Sequence, residues 1–437
     1  MNDEQVTRKD ETTTGIGRLT TACVSKNSRE LRGAVVLDGS KSISNRALIA
    51  LTLAGANPQD WLSNLSTSND TQTLLRLLAQ KSGTFDAGDA GTAFRFLTAY
   101  LSTQPGEQVL SGSKRMLERP IGPLVEALQQ LGADIHFLGK EGYPPLKIGE
   151  IKPRARNIRV PANISSQFLS ALLMIGPYLP EGLELVPQGP LVSRPYLEMT
   201  LNVMRHFGAT VAWQGEALVV AAGKYTPRHL FIEADWSAAS YWYAMAAFSE
   251  ELDLTLKGLQ ERSWQGDSVL SNMMQRFDIQ TYFGENEVRL KKIGGASRPF
   301  FEKDFLACPD LAQTLAVVCA GLETTAVFSG LETLSIKETD RIAALKTELA
   351  KLGVSFAKLP ARFSKKWPEK TFYSLEGKAE LITVPRIATY GDHRMAMAFA
   401  TLAMLGPVEI ENPGVVSKSY PQFWEHLKAM GFEVSLK

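Results

Sequence analysis

A chain in which one helix-to-strand pattern returns six times has few folds open to it. Here the pattern is an amphipathic helix that closes on a glycine and runs into a short alternating strand. It reads TLLRLLAQKSGTF (residues 73–85), LVEALQQLGADIHF (124–137), LNVMRHFGATVAW (201–213), VLSNMMQRFDIQTYF (269–283), ALKTELAKLGVSF (344–356) and FWEHLKAMGFEVSL (423–436). Glycine ends five of these helices, as a left-handed cap favours, and Asp278 stands at that point of the fourth. A second helix type alternates with the first, rich in Ala and Leu and apolar on more than one face. Its copies are SNRALIALTLAG from Ser44, GTAFRFLTAYLS from Gly91, SSQFLSALLMIG from Ser165, SAASYWYAMAAFS from Ser237, DLAQTLAVVCAG from Asp310 and DHRMAMAFATLAMLG from Asp392. Helices apolar nearly all round belong inside a domain. The expected class is therefore α/β, with six units of one buried helix, one surface helix and short strands, at spacings of roughly 50 to 80 residues. Six units fit as two domains of three. The starts of the buried helices would then meet in the cleft between them, where a polyanionic small molecule is readily held.

Composition narrows the ligand. With 47 basic and 46 acidic residues in 437 the net charge is +1, so no global field draws in nucleic acid or an anionic membrane, and any basic site is local. The three cysteines, Cys23, Cys308 and Cys319, have no CxxC or metal spacing and suit a reducing compartment. The first 24 residues are polar and carry Asp3, Glu4, Asp10 and Glu11, which fits neither a signal peptide nor a transit peptide. The most polar connection, residues 362–370, reads as a surface loop.

The local charges gather where the buried helices begin. DGSKSISNRALIALTL (residues 38–53) places a glycine turn, Lys41, three serines and Arg46 directly ahead of an apolar run. Unpaired N–H groups and the helix dipole favour an anion there, and either Ser42 or Ser44 can cap the helix. Comparable groups precede the other buried helices: Asp89, Gly91, Thr92 and Arg95; Ser165, Ser166 and Gln167; Asp310; and Asp392, His393 and Arg394. Loops add Arg115, Arg119, Ser193, Arg194, Lys337, Glu338, Asp340, Arg341 and Lys418, while Asp235 reads as structural. Singly, each is an ordinary cap or a solvated charge. Jointly they suit a substrate with several phosphate or carboxylate groups, with Asp310 and Glu338 available for proton transfer. No HExxH, Walker loop, GxGxxG after a strand, or paired Cys and His is present, so positioning and proton transfer are expected to carry any chemistry, without metal or cofactor.

The motifs GSKSISNRAL, GDAGTAFR, LERPIGPLVEAL, SSQFLSALLM, SRPYLEMT, PDLAQTLAV, IKETDRIAAL, YGDHRMAMA and VSKSYPQFWEHL together resemble the 5-enolpyruvylshikimate-3-phosphate synthase family, over about residues 31–436. The resemblance implies two similar domains, each of three βαβαββ units with buried parallel helices and outer sheets. One would comprise residues 1–37 and 233–437 and the other 38–232, the chain crossing near Leu37 and Ile232. It implies transfer of the enolpyruvyl group of phosphoenolpyruvate to the 5-hydroxyl of shikimate 3-phosphate, with release of phosphate, by a cytoplasmic monomer. Lys41, Ser42, Arg46, Ser165, Ser166, Gln167, Ser193, Asp310 and Lys337 would hold shikimate 3-phosphate. Lys41, Gly91, Arg119, Gln167, Arg341, Arg394 and Lys418 would hold phosphoenolpyruvate. Asp310 would take the hydroxyl proton, Glu338 would exchange a proton with the methylene carbon, and Lys41 would join them in catalysis.

Asp89, Phe96, Thr333 and Ser335 depart from residues often found in that family. The related UDP-N-acetylglucosamine enolpyruvyl transferases usually carry a reactive Cys in the loop matching SGSKRMLERP, which here has none. An RNA 3′-terminal phosphate cyclase would need a nucleotide site and a catalytic His that His393 hardly supplies. A non-enzymatic phosphate binder would be favoured by loss of Asp310 or Glu338, and both are present.

Overall fold

The computed structural model describes residues 20–162, 165–189, 191–294, 300–364 and 370–437. Most of the polar N-terminal stretch, and residues 365–369 of the loop expected at 362–370, lie outside the described residues. Buried and amphipathic helices alternate along the chain. They are α1 (Lys41–Leu53) and α2 (Asn69–Leu78); α3 (Gly91–Ser102), the short α4 (Lys114–Leu117) and α5 (Gly122–Leu131); α6 (Ser166–Ile175) and α7 (Arg194–His206); α8 (Trp236–Phe248) and α9 (Leu270–Met274); α10 (Ala312–Gly321) and α11 (Arg341–Lys351); and α12 (His393–Ala400) and α13 (Phe423–Ala429). In α8 every residue but Ser237 is buried, whereas α5 hides only the stripe of Leu124, Val125, Ala127, Leu128 and Leu131 with its starting glycine. That contrast follows from the two apolar periodicities in the sequence.

The residue expected to stop each amphipathic helix has positive φ in all six units: Gly83 97°, Gly132 102°, Gly208 88°, Asp278 61°, Gly353 78° and Gly431 81°. Asp278 substitutes for glycine because a short polar side chain tolerates the left-handed region. Five of these residues directly follow or nearly follow the last helical turn, while Gly83 lies in the loop leading to strand Thr84–Asp86.

Five four-stranded sheets share one order. In each, a parallel pair flanking a buried helix continues into two antiparallel strands, as in Asn157–Pro161, Leu183–Gln188, Ala217–Val220 and Val211–Gln214. The unit holding α1 and α2 has instead a two-stranded parallel sheet, Leu62–Ser63 with Leu230–Phe231. Its α2 is followed at once by Thr84–Asp86, which pairs in parallel with Gln108–Ser111 of the next sheet. The last sheet is completed from the other end of the chain: Thr21–Ser25 lies between Val408–Glu411 and Glu433–Leu436, antiparallel to both. This strand falls in what reads as a polar N-terminal stretch, and its buried Ala22 and Val24 are the alternation that marks it.

Apolar side chains form two cores. One joins Ala22 to Leu37 with Ala234 to Phe432, and the other runs from Ile43 to Ile232. The chain passes between them twice, side by side. Gly39 bridges Ala234 in antiparallel fashion, Ser40 N–H donates to Glu233 O at 2.8 Å and Asp235 N–H to Asp38 O at 3.0 Å. Gly39 is obligatory here, since a Cβ would stand 1.8 Å from Asn64 O.

Candidate active site

All six buried helices begin at one cleft between the two cores. Lys41 and Ser42 come from α1, Gly91 and Thr92 from α3, Ser165–Gln167 from α6, Asp235 and Ser237 from α8, Asp310 from the turn entering α10, and His393 and Arg394 from α12. The cleft contains about 1300 Å³ of empty space, counting its open mouth. Arg46, Arg119, Ser193, Lys337, Glu338 and Arg341 line it too. Lys418 reaches its edge from an adjoining cavity, with Nζ 3.6 Å from Glu338 Oε1 and donating to Asp89 O at 2.6 Å.

The wall from the 43–232 core is cationic. The Arg46 guanidinium is 1% exposed, donates to Thr200 Oγ1 (2.7 Å), Ser42 O (2.8 Å) and Ser170 Oγ (3.3 Å), and lies 5.3 Å from the centre of the Phe96 ring. Phe96, one of the departures, thus packs against a cation. Burial pushes Arg46 down to about 10, which leaves it charged at neutral pH. Arg95 is buried as well, donates to Gly91 O at 2.8 Å, and is pushed well down by burial and by neighbouring Arg119. Among the described residues neither arginine, nor Arg119, has a carboxylate in ion-pairing range, and Arg119 Nε is a buried donor without a partner. Lys41 has one acidic neighbour, Asp70, at 3.5 Å. Gly91 makes this crowding possible, because a Cβ would meet Arg119 Nη1 at 2.5 Å and Arg95 Nη1 at 2.9 Å. Buried guanidiniums without counter-charge are costly, and an anionic ligand relieves that cost.

The facing wall is an ion-pair network, in which Arg394 Nε is a buried donor without a hydrogen-bond partner among the described residues. Arg341, 2% exposed, donates from Nε to Asp392 Oδ2 (2.7 Å), from Nη1 to Asp310 Oδ1 (3.0 Å) and from Nη2 to Glu338 Oε2 (2.8 Å). Arg394 Nη2 donates to Asp310 Oδ2 at 2.8 Å, and Lys337 Nζ lies 4.0 Å from Oδ1. Burial works to raise the Asp310 carboxyl, but Arg394, Lys337 and Arg341 outweigh it and hold the group well below the usual carboxylate range. At Glu338, burial is likewise overcome by Arg341, Lys418 and Arg119. The His393 imidazole, with neither ring nitrogen hydrogen-bonded among the described residues and Nδ1 3.8 Å from Asp392 Oδ1, is kept neutral by burial and by Lys41 and Arg394.

Some placements differ from the sequence reading. The cap of α1 is Ser40, accepting from Ile43 N–H at 3.5 Å; Ser42 faces the cleft, and Ser44 is buried and accepts from Ser66 N–H at 3.1 Å. Arg194 is not brought in: it lies over Trp213, 5.2 Å from the ring centre, and 3.5 Å from Glu198. Asp89 turns its carboxylate to Ser113 and borders the adjoining cavity. Thr333 lines the cleft, and Ser335 bonds back to Glu332 O at 3.3 Å. Asp235 is both cap and cleft group, accepting from Ala238 N–H (3.1 Å) and Lys41 N–H (3.2 Å). Tyr196, which the sequence reading did not single out, donates its hydroxyl to Asp310 Oδ2 at 3.2 Å. Its spacing of three from Ser193, one helical turn, was the available signal. Ser193 itself holds φ 56°, a left-handed conformation that costs energy in a non-glycine residue and that recurs at functional sites.

The repeated α/β fold is shared with solved structures of EPSP synthase from Acinetobacter baumannii. One has a TM-score of 0.73 at 21% sequence identity and covers 95% of this chain and 100% of its own. A family model described as EPSP synthase (3-phosphoshikimate 1-carboxyvinyltransferase) matches residues 78–427. A 3-phosphoshikimate 1-carboxyvinyltransferase of Bacteroides fragilis is 44% identical over 410 residues, covering 93% of this chain and 97% of the relative. One of Bordetella petrii is 36% identical over 434 residues, covering 91% and 94%. The chain belongs to the EPSP synthase family.

Proposed function

We propose that this protein transfers the enolpyruvyl group of phosphoenolpyruvate to the 5-hydroxyl of shikimate 3-phosphate, releasing phosphate. One observation carries the reading beyond family membership: Asp310 and Glu338 share the Arg341 guanidinium and face Arg46, Arg95 and Arg119, which have no carboxylate in ion-pairing range among the described residues. In the reaction the 5-hydroxyl oxygen bonds to C2 of phosphoenolpyruvate, its proton goes to Asp310, and C3 gains a proton. The C2–O bond to phosphate then breaks and C3 gives a proton back, restoring the enol. Glu338 is the group assigned to exchange that proton. Lys41, Ser42, Arg46, Ser165, Ser166, Gln167, Ser193 and Lys337 are assigned to shikimate 3-phosphate together with Asp310. Lys41, Gly91, Arg119, Gln167, Arg341, Arg394 and Lys418 are assigned to phosphoenolpyruvate, where Lys41 also stabilises charge in transit. The cations that hold Asp310 and Glu338 acidic are those that the anionic ligands claim. Ligand arrival therefore returns both carboxylates toward the range in which they exchange protons.

We read the two cores as two domains, residues 1–37 with 233–437 and residues 38–232, closing on the ligands and excluding water. The three free cysteines suit a cytoplasmic setting, and a cleft built within one chain suits a monomer. No helix among the described residues is long and apolar enough to cross a membrane.

The test is phosphate release from phosphoenolpyruvate with shikimate 3-phosphate or UDP-N-acetylglucosamine as acceptor. Release with the first alone supports the reading. Release with neither, from folded protein that binds both ligands, overturns it in favour of a binding protein.

A further inference from the structure

Behind the carboxylate wall lies an acidic side chain that the proposed reaction does not use. Asp267, 4% exposed, sits in the turn Gly266–Val269 that leads into α9. Its Oδ2 accepts the hydroxyl of Ser237, and its Oδ1 is buried with no partner among the described residues. A carboxylate with one orphaned oxygen is poor structural cement, because its desolvation is only partly compensated. Ser237, in the first turn of α8, lines the cleft. Its Oγ lies 3.5 Å from Arg394 Nη2, and that nitrogen is also 2.8 Å from Asp310 Oδ2. Four groups thus form one chain, Asp267–Ser237–Arg394–Asp310. The turn carrying Asp267 is fixed against the SRPY segment, since a Cβ on Gly266 would stand 2.4 Å from Pro195 Cβ. The ionisable groups that face Asp267 are Asp235, Asp310, Arg394, Tyr196 and Cys308.

We propose that Asp267 is a positioning residue for enolpyruvyl transfer, which sets through Ser237 how Arg394 divides its hydrogen bonds between Asp310 and the anionic substrate. The proposal rests on the function proposed above. With Asp267 ionised, the Ser237 hydroxyl donates to it and turns a lone pair toward Arg394, giving the guanidinium a second acceptor beside Asp310. With Asp267 protonated, its own O–H donates to Ser237, and the serine proton turns into the cleft. Burial, reinforced by the charge of Asp310, pushes the Asp267 carboxyl up to about 7, so both forms occur near neutral pH.

The experiment measures kcat/KM for phosphoenolpyruvate from pH 6 to 8 in wild type, Asp267→Asn, Ser237→Ala and the double variant. Substrate phosphates titrate alike in all four, so the ratio of variant to wild type isolates the protein. Asn mimics the protonated acid. The Asp267→Asn ratio is therefore expected to lie nearest one at pH 6 and to depart from it by about five- to tenfold at pH 8. Adding Asp267→Asn to Ser237→Ala is expected to change nothing further with pH. A ratio constant across the range, or an equal pH effect of Asp267→Asn on either background, overturns the proposal. Should Asp267→Asn fold poorly, a ratio of Ser237→Ala to wild type that changes between pH 6 and 8 decides it in favour, and a ratio constant with pH decides against. A wild type that transfers nothing to shikimate 3-phosphate sinks the function and this inference together, whereas an active wild type with flat ratios sinks the inference alone.

Discussion

The wall of the cleft built from residues 43–232 carries Arg46, Arg95 and Arg119 with no carboxylate in ion-pairing range among the described residues, whereas the opposite wall ties Arg341 and Arg394 to Asp310, Glu338 and Asp392. The first wall's arginines have no internal counter-charge, while those of the second are paired. Positive charge that has no internal partner is available to a ligand, while positive charge already matched stabilises acidic groups in their ionised form. On the proposed function, the anions that settle the first wall also compete for the cations of the second, where the two proton-transfer carboxylates stand.

The largest expected effect tests the chemistry of the paired wall. Asp310→Asn and Glu338→Gln keep shape and remove the base, so phosphate release is expected to fall about 10²- to 10⁴-fold, with both ligands still bound in equilibrium dialysis. Loss below tenfold would move proton transfer to other groups. Next comes stability without ligands. Arg341→Met strands Asp392 and its neighbours as buried charges and is expected to cost about 3 to 5 kcal/mol. Arg95→Met removes a buried charge that has no counter-ion and is expected to be neutral or stabilising in the same urea titration. Equal losses in the two would erase the contrast between the walls.

A third measurement uses sulfate, which keeps its charge near neutral pH. At a hundredfold excess over its dissociation constant it is expected to stabilise the protein by about 2.7 kcal/mol, and Arg119→Ala is expected to abolish most of that gain. The smallest effects are in pH. Asp310 and Glu338 have depressed folded values, so their contribution is present above the unfolded carboxylate range and is lost as pH falls through the folded values. Asp267 has the opposite sign: its contribution is present below its unfolded value and is lost as pH rises through about 7. Unfolding midpoints of Asp267→Asn are expected to fall less than wild type between pH 5 and 8, and parallel curves would refute that sign.

The sequence shows the helix pairs because their two periodicities are long and their stops need a special backbone, visible as Gly132 or Gly353. It shows the cations because Lys41, Arg119, Arg341 and Arg394 stand at repeated points of the pattern. It does not show that the first unit keeps only two strands, since Leu62–Ser63 and Leu230–Phe231 are too short to carry an alternation. Ser40, Ser42 and Ser44 are chemically alike, so only backbone geometry chooses the cap. Asp267 and Tyr196 escape because their importance lies in what they touch across a long stretch of chain, 30 residues for Asp267 and Ser237 and 114 for Tyr196 and Asp310.

The crossing at Leu37 and Ile232 also orders events while the chain is being made. The 43–232 core is continuous and has all its residues once Ile232 leaves the ribosome. The other core waits: Glu30–Val36 has no partner until Glu251–Lys257 exists, and Thr21–Ser25 none until Val408–Glu411 exists. At about 5 to 20 residues per second, translation from Ile232 to Glu411 occupies on the order of ten to forty seconds. Glu30–Val36 finds its partner within the first few seconds, but through the rest of that interval the nascent protein presents its cationic wall uncovered and Thr21–Ser25 with bare edges, the kind of species on which chaperones act.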